Sequence, residues 1–187
     1  MQTTHPDPMH LPGALRGWVF SLRLLTLLGA LALAVVPLWF WSEPEWVRAQ
    51  GRSLVGLLPE VPLTVDSRAL WLGLAASLPG VLLGAWALWA LWRLLKAYAQ
   101  GRFFEPEARQ CLRRFAWALL LMALWVPLQK GLFGIALTLG NPPGQRMLVL
   151  GLGWSDYLSV LVSVVLLTVA QVQAEAARLA EENAGFV

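Results

Sequence analysis

Charge is scarce in this 187-residue chain: Asp, Glu, Lys and Arg make up only 13% of it. A soluble domain carries about a quarter, so the polar coat that would keep such a core in water is missing. Hydrophobic residues reach 58% and the mean hydropathy is +0.61, so the surplus apolar surface has to face lipid. Cysteine is nearly absent. Cys111 alone excludes an internal disulfide and any multi-cysteine metal site, and it reads as a small residue on a helix surface. The 2 histidines, His5 and His10, lie in a proline-rich N-terminal stretch too loose to hold a metal, and none is expected. The chain has no G-x-S-x-G, H-E-x-x-H or glycine-rich phosphate loop, and no carboxylate pair inside an apolar run. Neither an enzyme nor a cofactor is therefore expected.

What is present is apolar length. Residues 24–41 and 69–92 are free of charge, and each run is long enough to cross a bilayer. Two further runs, about 115–135 and 155–175, complete four expected spans, with the first taken as about 19–41. The first run also contains small-x-small patterns at Ala30–Ala32 and Ala32–Ala34 that fit a signal-peptide cleavage site. Its continuation to Trp39-Phe40-Trp41 favours an uncleaved span. The 11 tryptophans against 2 tyrosines fit interfacial belts, with Trp71 at one end of the second run and Trp86, Trp89 and Trp92 at the other.

Residues 1–14, with three prolines, read as a disordered cytoplasmic tail, and 15–187 as a single four-helix transmembrane domain. The external loops are 42–68 and 136–154, the cytoplasmic loop is 93–114, and a cytoplasmic helix end runs over 175–187. "VPLTVDS" in the first external loop has the composition of a short strand. In the second, Asn141-Pro-Pro-Gly144 lies between two partly alternating runs and predicts a small β-like extracytoplasmic hairpin. The fold class expected is thus an all-α membrane protein with that hairpin. Lysines and arginines number nine on the side of the tail, the middle loop and the C-terminus, against five opposite. The positive-inside bias then places both termini in the cytoplasm of a bacterial inner membrane.

"AYAQGRFFEPEARQCLRRFAW", residues 97–117, holds the densest charge. Gly101 suits a helix end, Pro106 a helix start, and Arg109 and Arg113 share a face with Arg114 beside them. Topology accounts for these arginines. A docking role for Arg102, Arg109, Arg113 and Arg114 stands beside it, and direct nucleic-acid binding is not expected. In the terminal "QAEAARLAEENAGFV", Arg178 is spaced to pair with Glu175 and Glu182 on a helix. Glu175, Arg178, Glu181 and Glu182, with Phe186 and Val187, form either a solvated helix end or a handle for a partner. Lys130 and Asp156 are the charges nearest the apolar zone. With helices reaching Leu139 and starting at Met147, the two meet as an intramembrane pair. With a hairpin, Lys130 snorkels and Asp156 completes a helix N-terminus. Gly80 and Gly84 form a G-x-x-x-G motif for helix packing within the chain or between copies, which leaves a homo-oligomer open.

On "QGRFFEPEARQCLRRFAW", "LTLGNPPGQRMLVLGLGWSD" and above all the terminal E-A-x-x-L-x-E-E-N of Glu175–Asn183, the chain resembles the DUF2975 family of small bacterial membrane proteins. The resemblance implies a four-helix inner-membrane protein whose relatives are often encoded beside a small helix-turn-helix regulator. It implies no catalytic or ligand residues. The function expected is a non-enzymatic sensor or regulatory subunit that passes an envelope or lipid signal to a cytoplasmic partner, such as a transcription regulator. The rival expectations are a small-molecule binding or transport bundle around Lys130 and Asp156, and a structural subunit of a membrane complex.

Overall fold

The computed structural model describes residues 13–102 and 105–184, without the side chains of 13–16, 180, 181 and 184. Residues 1–12 of the tail expected to be disordered, with His5 and His10, and Phe186 and Val187 lie outside the described residues, whereas positions 13 and 14 open α1. Five helices follow in order: α1 Gly13–Ser42, α2 Pro44–Val55, α3 Ser67–Ala99, α4 Pro106–Thr138 and α5 Trp154–Ala184. All but α2 are long and apolar enough to cross a membrane. At about 1.5 Å per residue, the 33 residues of α3 and of α4 extend about 50 Å, beyond a hydrocarbon core of about 30 Å. The excess lies at the end where the arginines gather.

The spanning helices alternate in direction. Arg23 on α1 stacks 5.4 Å from the Trp92 ring at the far end of α3, and Trp41 at the other end of α1 meets Gly73 at the start of α3. Likewise Arg109 early in α4 faces Ala174 late in α5, and Lys130 late in α4 faces Asp156 early in α5. The start of α1, the α3–α4 connection and the end of α5 therefore share one end, the arginine end. The opposite end is the cap.

The helices stand in an open row, α1 on α3, α3 on α4 and α4 on α5, and not in a closed bundle. Small residues set the close approaches. Gly80 of α3 lies against Trp125 and Gln129 of α4, whereas Gly84 faces Leu33 of α1. Both glycines of the G-x-x-x-G motif are thus occupied by helices of the same chain. Several hydroxyls within the row bond along their own helices. Thr26, Thr138 and Ser163 each donate to the carbonyl four residues back, as lipid requires. The outer faces stay apolar and bare, with Leu24, Leu27, Leu31 and Val35 exposed on α1 and Leu161, Val165 and Val172 on α5.

Two expectations are corrected at the cap. The loop 42–68 contains α2, an amphipathic helix that buries Val47, Gly51 and Val55, spaced four apart. Pro44 opens it, and Gly56 closes it in the left-handed conformation, its N–H bonded to the Arg52 carbonyl at 2.9 Å. The β-like hairpin does not form: no strand occurs among the described residues. Residues 136–138 continue α4, and 145–153 form neither helix nor strand. That segment lies on α4 instead, with Leu148 and Leu150 over Gly131 and the Met147 carbonyl over Gly134. Its alternation fits a ribbon resting on a glycine-lined helix face. In "VPLTVDS", residues 61–66 form no strand and Ser67 opens α3.

Candidate functional site

The cap has a core of its own. Trp41, Val47, Val55, Leu57, Phe133 and Leu137 are buried together, with Leu63, Met147 and Val149 packed around them. The Trp41 ring lies on Gly73, and its indole N–H donates to the Ser77 hydroxyl at 3.0 Å. Ser77 in turn donates to the Gly73 carbonyl, so the buried hydroxyl acts in both directions.

Asn141 ties the two loops to α4. Its Nδ2 donates to the Pro62 carbonyl at 2.7 Å and the Gln145 carbonyl at 3.1 Å, while its Oδ1 accepts from Thr64 Oγ1 at 2.6 Å. Thr64 N–H reaches the Leu137 carbonyl, and Thr138 Oγ1 accepts from Met147 N–H. Asn141 is 4% exposed and uses both amide protons and its carbonyl oxygen. The Asn-Pro-Pro-Gly turn signal marked the turn. It gave no indication that the asparagine would become the hub of the cap.

Lys130 and Asp156 meet, with Nζ and Oδ2 3.3 Å apart. Neither sequence premise describes how. α4 runs to Thr138, yet α5 starts only at Trp154, because 145–153 descends along α4 before turning up into the helix. The Asp156 side chain is 6% exposed and also accepts the Gly153 N–H at 2.8 Å, as an acidic group in a first helical turn does. Lys130 remains 35% exposed, level with Trp154 and Tyr157, whose rings stack 5.3 Å apart. The pair therefore ties the start of α5 to α4 near an interface.

At the arginine end the sequence-selected residues separate into groups. Arg102 is engaged with Glu105 at 3.1 Å and Glu107 at 3.6 Å, and Glu107 also pairs with Arg93, whose guanidinium lies over Trp89. These contacts fasten the α3–α4 turn. Arg109 and Arg113, one turn apart, border a groove between α4 and α5, and Arg114 is half-buried beside them. Cys111 is buried among Leu94, Ala97, Ala108 and Ala170, not on a helix surface. Arg178 bonds Glu175 at 3.2 Å and Glu182 at 3.1 Å along exposed α5, whereas the Glu181 side chain lies outside the described residues. Among the described residues no cluster of three His, Cys, Asp or Glu side chains is placed to hold a metal.

No curated protein and no solved structure matches the chain. A family profile does match, over residues 58–185, which takes in α3, α4 with Lys130, α5 with Asp156, and the connection that carries Asn141. Since that match covers more than half of the chain, the protein belongs to DUF2975, a family described as proteins of unknown function.

Proposed function

We propose that this protein is a non-enzymatic regulatory subunit or sensor of the bacterial inner membrane. Both termini are cytoplasmic in this reading, which rests on the excess of arginine at one end. The cap receives an envelope or lipid signal, and the far end of α5 presents it to a cytoplasmic partner. A helix-turn-helix regulator is the first candidate, on the strength of the family's usual gene neighbours.

One observation carries the reading: α5 connects the two ends in a single element. Asp156 in its first turn is tied to α4 and to the descending segment that leaves the cap. It ends in an exposed run stiffened by Arg178 between Glu175 and Glu182. A lone helix end in water needs such pairs to stay helical, and a stiff charged helix supplies selective contacts. Affinity purification from native membranes after mild crosslinking tests the docking half, comparing the full chain with one ending at Ala174. A soluble regulator recovered only with the full chain is expected. Equal recovery of membrane subunits by both would support a structural subunit instead.

A second reading, small-molecule binding or transport around Lys130 and Asp156, draws on their 3.3 Å approach. The Gly153 N–H already held by the same carboxylate favours anchoring of α5. Lys130→Gln with Asp156→Asn, folded and without phenotype, would remove the second reading.

A further inference from the structure

At the arginine end, the seam between α4 and α5 opens into a groove of about 510 Å³. Arg109, Gln110 and Arg113 form its α4 wall, and Ala170 and Ala174 form the α5 wall. The alanines leave room where longer side chains would close the seam. Among the described residues Arg113 is exposed and makes no hydrogen bond or ion pair. Arg109 is only weakly engaged, its Nη1 lying 3.5 Å from the Ala174 carbonyl while its Nε is buried without a partner. The one carboxylate at the groove, Glu107, is held by Arg93 and Arg102 and leaves the two arginines unneutralised.

We propose that this groove binds the phosphodiester headgroup of an anionic phospholipid, with Arg109 and Arg113 as the phosphate ligands. Its depth identifies the occupant. Arg113 lies two residues before Phe115, where the apolar stretch of α4 begins, and Trp117 is exposed one turn on. That is the level of headgroup phosphates, and basic pockets between spanning helices at this level suit them. The row is one helix thick and α5 is its edge, so no further helix stands between the seam and the bilayer. Two forked guanidinium groups one turn apart match the oxygens of a single phosphate better than a diffuse charge does. This site stands independently of the relay through α5.

The test uses the full chain purified in neutral detergent, with lipid retention read by native mass spectrometry against phosphatidylglycerol and phosphatidylcholine. The wild type is expected to retain phosphatidylglycerol preferentially. Arg109→Gln with Arg113→Gln is expected to weaken that retention roughly tenfold, whereas Arg48→Gln at the cap leaves it unchanged. Should the double variant fail to fold by circular dichroism, Arg113→Gln alone serves, and a several-fold loss is expected from it. Equal retention of both lipids by the wild type, or undiminished retention by a folded variant, would overturn the assignment. Displacement of phosphatidylglycerol by millimolar inorganic phosphate would also overturn it, since the ligand would then be a free anion.

Discussion

Trp41 shows how much of the cap depends on one residue having no side chain. A Cβ on Gly73 would lie 2.2 Å from Trp41 Cη2 and within 2.5 Å of two further ring carbons. A fused ring cannot bend away as the end of a leucine can, so either the indole or α3 must shift. Gly73→Ala should cost about 1–3 kcal/mol, as overpacking of a filled site does. Thermal unfolding in detergent would show it against Gly17→Ala, where nothing lies within 4 Å of the added carbon. An unchanged midpoint for Gly73→Ala would mean that the Trp41 contact is slack. In sequence, Gly73 and Ser77 are one of several small-residue pairs on α3, and Gly80 and Gly84 drew attention first because both are glycine. Which pair receives an indole depends on where α1 ends, and periodicity alone does not specify that. Arg178 is the opposite case, since its partners lie three and four residues away on one helix and the spacing alone identifies them.

Elements built from local signals were readable, and those shaped by distant partners were not. Four helices are long and apolar enough to cross a membrane, and an unbroken apolar run in lipid must be helical to satisfy its backbone. α2 lies within the expected external loop 42–68, and although Pro44 and Gly56 bracket it, Gly51 inside it disfavours a helix by propensity. Gly51 is there for closeness, not for flexibility: a Cβ would lie 3.1 Å from Leu137. The hairpin was misread for a related reason, since alternation in 145–153 records contact with α4 and not with a strand. The same descent brings Asp156 level with Lys130, which makes this pair the joint between α4 and α5. Lys130→Met leaves a nearly buried carboxylate with only the Gly153 N–H for compensation, so it should destabilise more than Lys130→Met with Asp156→Asn. A double-mutant cycle should give a coupling of about 0.5–3 kcal/mol. Additive losses would show the two side chains to be neighbours without interaction.

As a whole, the molecule is a row of four spanning helices with one packed end and one charged end. The packed end has a core of its own, built from α1, α2, the start of α3, α4 and both cap loops. The charged end has the ion-paired α3–α4 turn, the unneutralised Arg109 and Arg113, and the α5 extension. Composition revealed the membrane and the charge asymmetry, because both are sums over the chain. It left hidden that the helices stand in a row, since the order of neighbours follows from contacts such as Gly84 on Leu33 and Gly80 on Trp125. A row gives α5 one principal helical neighbour, so its position depends on the α4 seam and on the segment that leaves the cap. A change at the cap therefore has a short physical route to the far end: Asn141, the ribbon 145–153, Asp156 and then α5. Asn141→Ala removes a buried amide that serves the Pro62 and Gln145 carbonyls and the Thr64 hydroxyl, and should loosen the cap by about 1–3 kcal/mol. The most direct test is amide hydrogen exchange on the full chain in nanodiscs, comparing wild type with Asn141→Ala at residues 137–147 and 175–184. The relay predicts faster exchange in both segments. Faster exchange at 137–147 with no change at 175–184 would contradict it, because the cap would then open without the α5 extension registering the change.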